Sequence, residues 1–340
     1  MGDHDVAITP ESSTVYLFAE AMGYLRTACL RAVAQLGVAD HLGDEPRPVE
    51  ELAEATGTDP DFLRRVLRLL ATRNIFRQEQ DGRFSLLPLG QGLRTDSRSS
   101  ARWGVVMSAM NTHWNSAFGL VEGMRTGKPA FDELYGTPFF DHITSDREAG
   151  AEFHRGMDSF SGAARRLALE AYDFPSTGTV VDVGGGHGGF LRDVLLRHPG
   201  LNGVLLDQAH VLPGASPEDV DPQRWTEIAG DFFVDVPEGG DVYVLSYVLH
   251  DWSDDECVRL LRNCRESMAP GARIAVFDAI VEPGNEPDDA KLLDLVMMML
   301  VPGRERTAEE VADLLRQADL KLDRVVATEG PLSVVEATAA

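Results

Sequence analysis

A glycine-rich segment that directly follows a short apolar run limits the fold of this chain more than any other feature. Residues 179–183 are Thr-Val-Val-Asp-Val, and residues 184–190 are Gly-Gly-Gly-His-Gly-Gly-Phe, followed by an apolar helical pattern at 191–197. β-Branched residues favour a strand, and glycines let the backbone approach a ligand where the next helix starts. The segment therefore predicts the strand–loop–helix unit of a nucleotide-binding α/β sheet.

Two acidic residues near this loop indicate the kind of nucleotide. Asp207 ends the next predicted strand, about 20 residues past the glycines, where a carboxylate can accept hydrogen bonds from both ribose hydroxyls. Asp182 lies two residues before the first glycine, where it would repel a pyrophosphate but pair with an ammonium group. The loop therefore predicts a cofactor with an adenosine and a positively charged amino group, with a nicotinamide dinucleotide as a weaker alternative.

The second half of the chain continues with alternating strands and helices, which is typical of an α/β fold. Asp231 and Phe232 follow another strand and suit the amino group and the face of an adenine. Further strands are predicted at 241–249 and 272–277, with a helix at 254–268 between them. Two final runs, 320–327 and 332–337, flank Glu-Gly-Pro and predict a closing hairpin with one antiparallel strand.

The first half has a different pattern, that of helices followed by a hairpin. Apolar residues recur at helical spacing over 15–42, shorter helices are predicted at 48–53 and 62–71, and Asp81-Gly82 marks a tight turn between two short strands. This is a winged-helix outline. The broad apolar face of residues 15–42 would leave a large patch exposed in a monomer, so we expect a homodimer.

The charge of the chain argues against several classes of partner. With 31 Lys and Arg against 55 Asp and Glu, the net charge is −24, which disfavours nucleic acid and anionic membranes. Neither a signal peptide nor a membrane span is recognisable, and the three cysteines show no CxxC spacing, so a cytoplasmic location is expected. No set of residues has the spacing of metal ligands.

Five segments resemble, in this order, the S-adenosylmethionine-dependent O-methyltransferases of the plant caffeate and bacterial polyketide-tailoring type. They are VVDVGGGHGGF, LLD, AGDFF, VLSYVLHDWSDDEC and VPGRERTAEE. The likeness covers nearly the whole chain. It implies a Rossmann-like methyltransferase sheet with a C-terminal antiparallel hairpin, preceded by a mainly α winged-helix dimerisation domain. We expect boundaries at 1–100 for dimerisation, 101–175 for bridging helices of the substrate pocket, and 176–340 for the catalytic domain.

The resemblance also implies roles in catalysis. His250 matches the general base of the family, which removes a phenol proton while the methyl group leaves sulfur. Asp278 and Glu305 match the two acids that flank this histidine and fix its tautomer. Family members usually carry glutamate at the first of these positions, so Asp278 is one methylene shorter than the pattern.

The same resemblance implies binding residues for the cofactor, S-adenosylmethionine, and for a small aromatic acceptor. Those matched to the cofactor are Gly184, Gly186, Asp207, Asp231, Phe232 and Ser246. Plant relatives commonly carry lysine where this chain has Ser246. Those matched to the acceptor are Phe153, Met157, Met297 and Met299, although their spacing also fits an ordinary apolar core.

Two other functions remain open at this point. Some relatives with this fold bind S-adenosylmethionine but catalyse hydroxylation, decarboxylation or pericyclic reactions, since a fold does not fix a function. A non-enzymatic winged-helix regulator that senses a small molecule is the second alternative. The presence of His250 favours methyl transfer over both.

Overall fold

A computed structural model describes residues 10–43, 45–212 and 217–340, which form two compact units. The first unit comprises the described residues up to 110 together with 148–160, and the second comprises 111–147 and the described residues from 161 to 340. The three-part division expected from the sequence stays a prediction.

The first unit is a helical bundle that carries a small hairpin. Its helices are α1 (Pro10–Ala21), α2 (Gly23–Leu36), α3 (Val49–Thr56), α4 (Pro60–Ala71) and α5 (Arg102–Ser108). Asp59 caps α4 by accepting hydrogen bonds from the backbone of Asp61 and Phe62. Strands β1 (Phe76–Gln78) and β2 (Phe84–Leu86) pair antiparallel across the turn at Gly82. The predicted helix–turn–helix and hairpin are therefore present.

The predicted helical stretch at 15–42 differs in detail from the structure. It contains two α-helices that meet at Met22 and a short 3₁₀ helix, Val38–His41. Helix α2 ends at Leu36, where Gly37 adopts the left-handed conformation (φ 68°) that closes a helix. The apolar side chains of α1 are exposed, with Tyr16, Leu17 and Phe18 between 63% and 68% accessible. This face is the apolar surface that the sequence predicts.

The second unit begins with short helices and continues as an α/β sheet. The helices before the sheet are α6 (Asn111–Phe118), α7 (Leu120–Thr126), α8 (Ala130–Tyr135), α9 (Phe139–Ser145) and α10 (Arg147–Ala171), of which α10 gives residues 148–160 to the first unit. The strands are β3 (Gly178–Val183), β4 (Leu201–Asp207), β5 (Trp225–Ala229), β6 (Val242–Ser246), β7 (Arg273–Asp278), β8 (Leu320–Ala327) and β9 (Ser333–Ala339). The later helices are α11 (Gly189–Arg197), α12 (Asp254–Ser267), α13 (Asp289–Leu300) and α14 (Ala308–Gln317).

The order of the strands places the predicted site residues along one edge of the sheet. The order is β5-β4-β3-β6-β7-β9-β8, and β9 runs antiparallel to both of its neighbours, as the predicted hairpin requires. β3, β4, β5, β6 and β7 are parallel, so their carboxyl ends lie together. Ligands of open α/β sheets bind at this edge, beside the point where strand order reverses between β3 and β6.

Two apolar layers cover the sheet and hold this edge in place. Buried residues of α12 and α14 pack on one face, and buried residues of α10 and α11 pack on the other. β3 and β6 contribute to both layers because alternate residues of a strand point to opposite faces. The strand ends are thus fixed by a buried core, and residues of the loops that follow them are available to bind ligands.

Candidate functional site

The loop between β3 and α11 has a backbone that only glycine adopts easily. Gly184 and Gly186 have φ angles of 70° and 61°, in the left-handed region. A Cβ atom at Gly184 would lie 3.2 Å from the ring of Phe232, whereas a Cβ at Gly186 would meet nothing within 4 Å. The loop therefore packs tightly against Phe232 at one glycine and stays open at the other.

Asp207 lies at the end of β4 and braces this loop. Its Oδ2 accepts a hydrogen bond from the Gly186 N–H at 2.7 Å, and its Oδ1 accepts one from the Gln208 N–H at 2.7 Å. A carboxylate has about four lone-pair positions, so each oxygen can accept a further hydrogen bond from a ribose hydroxyl. The predicted ribose acid and the glycine loop are thus in direct contact.

Asp182 lies fully buried beneath the same loop. Within the described part of the chain, neither of its carboxyl oxygens has a hydrogen-bond partner. Burial and the charge of Asp207 together raise the pKa of Asp182 to about 7, against the opposing effects of the Arg165 charge and the nearby Leu191 N–H. A buried carboxyl without a partner is costly, so this group fits a ligand that brings a cation, as the amino group of S-adenosylmethionine would.

The adenine residues predicted from the sequence follow β5. The Phe232 ring packs edge-on against Phe233 and Trp252, with centroids 4.8 and 5.8 Å apart. Asp231 is exposed, and its Oδ1 accepts a hydrogen bond from the Phe233 N–H, which shapes the turn. Ser246 ends β6, the strand beside β3. Gly184, Gly186, Asp207 and Phe232 are therefore brought together, and contact of all six predicted residues with a cofactor stays a prediction.

His250 lies in a buried single-turn 3₁₀ helix just past β6. Its Nδ1 is 2.8 Å from Oε1 of Glu305, which is itself almost completely buried. Its Nε2 is 3.6 Å from Oδ1 of Asp251. The structure therefore pairs two of the three predicted catalytic residues and adds Asp251, whose burial raises its own pKa to about 6.

The surroundings of His250 favour its protonated form when the site holds no ligand. Burial acts to lower the pKa of His250, but the charge of Asp251, the hydrogen bond to Glu305 and the charge of Asp278 outweigh it, and the pKa rises to about 10. The imidazole is thus surrounded by acids that stabilise an imidazolium, the form that a general base takes once it has accepted a proton.

Asp278 ends β7 and is buried near this pair. Burial raises the pKa of Asp278 to about 7, against the attraction of the His250 charge. Among the residues that the structure describes, its Oδ1 has no hydrogen-bond partner and no hydrogen bond joins it to His250. The short side chain acts on the histidine by charge at a distance, and its catalytic role stays a prediction.

Arg306 and Gly303 hold the backbone of the His250 turn, and the sequence does not reveal either role. The Arg306 guanidinium is buried and donates to the carbonyl oxygens of Leu249 and Trp252 at 3.0 and 2.8 Å. A Cβ atom at Gly303 would lie 1.9 Å from the carbonyl oxygen of His250. Arg306 stands in a run of alternating charges that is typical of a solvated surface, so its burial could only be seen in the structure.

The residues predicted to bind the acceptor fall into both units. Met297 and Met299 are half-buried on α13, which is tied to the site because Asp294 Oδ1 accepts a hydrogen bond from the Glu305 N–H at 3.0 Å. Phe153 and Met157 are half-buried residues of the first unit. Contact of these four residues with an acceptor stays a prediction.

Comparison with known protein families assigns both parts of the chain. Residues 118–321 match the model of the O-methyltransferase domain, and residues 19–96 match the O-methyltransferase dimerisation domain. No helix among the described residues is long and apolar enough to cross a membrane. In the same residues, no group of three His, Cys, Asp or Glu side chains is placed to hold a metal ion.

Individual relatives match over almost their whole length. Phenazine O-methyltransferase PhzM of Lysobacter antibioticus is 36% identical, covering 93% of this chain and 93% of its own. Mitomycin biosynthesis 6-O-methyltransferase of Streptomyces lavendulae is 36% identical, covering 92% of this chain and 91% of its own. The crystal structure of CalO1, a methyltransferase in calicheamicin biosynthesis, in its SAH-bound form, is 44% identical, with a TM-score of 0.91 over 98% of this chain and 100% of its own.

Proposed function

This chain belongs to the family of S-adenosylmethionine-dependent O-methyltransferases, and we propose that it methylates a hydroxyl group of an aromatic small molecule with His250 as the general base. The enzyme class, the cofactor and the fold expected from the sequence are those of this family. The acceptor and the residue roles below are the proposal.

The observation that carries the proposal is the buried pair of His250 and Glu305. An imidazole whose Nδ1–H donates to Glu305 at 2.8 Å presents the lone pair of Nε2 on its other side. That nitrogen can accept the proton of a phenol, and Glu305 then stabilises the imidazolium. Arg306 and Gly303 keep the turn fixed, so the ring stays aligned while the proton moves.

The charge of the cluster also suits this role. S-adenosylmethionine supplies a methyl group that is activated by the positive charge of its sulfur. A positive charge beside the acid cluster lowers the pKa of His250 from its raised value towards neutral pH, where a general base works best. The charges of Asp251 and Asp278 then help to stabilise the imidazolium that forms when His250 accepts a proton.

Aromatic acceptors are supported by the names of the relatives and by the residues of α13. Phenazine, the compound in one of those names, is a flat aromatic ring system. Met297 and Met299 offer polarizable thioethers that pack well against such rings. We propose that they line the acceptor site, and the roles of Phe153 and Met157 stay predictions from the sequence.

The dimerisation domain supports a homodimer, with the exposed apolar side chains of α1 at the contact. Sedimentation of the wild-type protein and of Phe18→Asp tests this. We expect a dimer for the first and a monomer for the second, and a wild-type monomer would contradict the proposal. The cytoplasmic location and the lack of nucleic-acid and membrane partners stay predictions from the sequence.

The reaction is tested by incubating the protein with S-adenosylmethionine that carries a ¹³C-labelled methyl group and a panel of phenols, hydroxynaphthoates and hydroxyphenazines. We expect a product that gains one methyl group, with a ¹³C shift typical of an aryl methyl ether. A hydroxylated or decarboxylated product with unchanged S-adenosylmethionine would contradict methyl transfer.

A further inference from the structure

Two opposite charges lie against the glycine loop from the protein side. A Cβ atom at Gly185 would lie 2.4 Å from Oδ2 of Asp182, and a Cβ atom at Gly189 would lie 3.0 Å from Nη1 of Arg165. Gly189 begins α11, so the guanidinium stands beside the N-terminus of that helix. The acid and the base thus flank the loop at two glycines four residues apart.

The Arg165 side chain is largely buried, yet other protein groups accept hydrogen bonds from only some of its N–H donors. Its Nη1 donates to the Ser161 hydroxyl at 3.1 Å, and its Nε lies 3.8 Å from Oδ2 of Asp193, beyond hydrogen-bonding distance. A guanidinium has five N–H donors; here one bonds Ser161, Asp193 is an ion-pair partner, and the buried Nε has no hydrogen-bond partner among the described residues. A buried cation with free donors is costly unless a ligand completes it.

Neutralising the charge of Asp193 does not explain why Arg165 lies at this position. Asp193 already receives a hydrogen bond from Arg192 at 3.2 Å, so it does not depend on Arg165 for a counter-charge. The positive charge of Arg165 does act on Asp182, because it opposes the rise in the pKa of that buried carboxyl. Because both groups also lie against the glycine loop, at Gly185 and Gly189, one ligand on that loop can interact with both charges.

We propose that Arg165 binds the α-carboxylate of the cofactor's amino acid portion, while Asp182 pairs with its ammonium group. This rests on the proposed function, in which the loop holds S-adenosylmethionine. A guanidinium and a carboxylate form two parallel hydrogen bonds, a geometry that an ammonium group cannot offer. The backbone N–H groups at the start of α11 add to the attraction for an anion. The loop then recognises both charges of the amino acid portion.

Calorimetric titration with two ligands tests the proposal. S-adenosylhomocysteine carries the amino acid portion, and 5′-methylthioadenosine has the same nucleoside without it. We expect Arg165→Met to weaken binding of S-adenosylhomocysteine by about 10–100-fold and to leave binding of 5′-methylthioadenosine within about twofold. Arg165→Lys should recover part of the loss. The control Arg197→Met removes the same charge at the far end of α11 and should change neither affinity.

A second comparison isolates the carboxylate from the ammonium group. The wild-type protein should bind S-adenosylmethionine more tightly than its decarboxylated form, and Arg165→Met should bind the two about equally. An unchanged preference in Arg165→Met, or an equal loss for S-adenosylhomocysteine and 5′-methylthioadenosine, would overturn the role of Arg165. A wild-type protein that binds none of these ligands would overturn the proposed function as well.

Discussion

The His250 cluster and the glycine loop lie along the same edge of the sheet, but their charges are satisfied in different ways. His250 and Glu305 pair with each other at 2.8 Å, and Arg306 fixes the backbone around them. In contrast, Asp182 is buried under the loop with no hydrogen-bond partner among the described residues. The His250–Glu305 hydrogen bond is therefore already formed in the protein alone, although Oε2 of Glu305 has no partner among the described residues, whereas both oxygens of Asp182 are left for a ligand.

This difference separates the energetic tasks of the two regions. Catalysis gains from groups whose orientation is already fixed, because no reorganisation is then needed during the reaction. Binding gains from buried groups that lack partners, because the ligand removes a cost that the free protein carries. Substitutions in the two regions should consequently change different quantities. Those at the His250 cluster should change the rate of turnover, and those at the glycine loop should change ligand affinity and the stability of the ligand-free protein.

The largest expected effect is on turnover in His250→Ala. Loss of a general base should lower kcat by about 10²–10⁴-fold, while the affinity for S-adenosylhomocysteine stays within about twofold. Steady-state kinetics and calorimetry measure the two quantities, and His210→Ala, at an exposed histidine, serves as the control. Full activity in His250→Ala would show that transfer relies on proximity and orientation alone.

Arg306→Met should come next and should act mainly on stability. The substitution removes the charged donor of the Leu249 and Trp252 carbonyl oxygens together with the ion pair to Asp254, so the free energy of unfolding should fall by about 2–4 kcal/mol. Arg304→Met removes a half-exposed charge that pairs with Asp254 and Glu310, and it should cost less than about 1 kcal/mol. If urea denaturation gave an equal loss of stability for Arg306→Met and Arg304→Met, Arg306 would have no special role in holding the His250 turn.

Glu305→Gln sharpens the comparison through the pH dependence of the rate. The Glu305 hydrogen bond and charge raise the pKa of His250, so their loss lowers that pKa. The rising limb of kcat against pH should therefore move to lower pH by about 1–2 units in the variant. An unmoved limb, measured at saturating cofactor, would mean that His250 is not the group that titrates.

Asp182→Asn should change stability in the opposite direction to Arg306→Met. The pKa of Asp182 in the folded protein is raised above its unfolded value, so the folded state holds this proton more tightly. Ionisation of Asp182 therefore lowers the free energy of unfolding progressively as the pH rises from about 4 to about 7. At pH 8 without ligand, Asp182→Asn should be more stable than the wild type by about 1–4 kcal/mol, and at pH 4 the difference should vanish.

The same substitution should weaken binding of S-adenosylhomocysteine, because the amide carries no charge to pair with an ammonium group. Thermal unfolding at both pH values, with and without ligand, separates the two effects. A variant that is less stable at pH 8 and binds as tightly as the wild type would show that Asp182 is an ordinary structural group.

Elements with strong local signals could be predicted from the sequence, and those set by distant contacts could not. The glycine loop, the alternation of strands and helices, and the terminal hairpin all follow from periodicity and turn residues, and the structure has them. The break at Met22 is not predicted although Gly23 follows it directly, because a single glycine is tolerated inside an apolar helical pattern that continues past it. Residue spacing alone does not show where one helix of an apolar pair stops.

Contacts between distant residues also limit how much of the site could be predicted. The pairing of His250 with Glu305 was expected from motifs that lie 55 residues apart, since the resemblance to a family supplied the contact that the sequence alone lacks. Arg306 and Arg165 could not be recognised, because each stands beside another arginine or in an alternating charge run that suggests a solvated surface. Only the packing around them shows which of two similar charges is buried.

The most direct test of the account is the protonation state of His250 in the protein saturated with S-adenosylmethionine and free of acceptor. Nitrogen NMR of ¹⁵N-histidine-labelled protein, assigned with His250→Ala, distinguishes the two neutral tautomers and the imidazolium. The account predicts that near neutral pH His250 populates the neutral form with the proton on Nδ1, held by Glu305, and a free Nε2. A proton that stays on Nε2 from pH 6 to pH 9 would contradict the assignment of His250 as the general base.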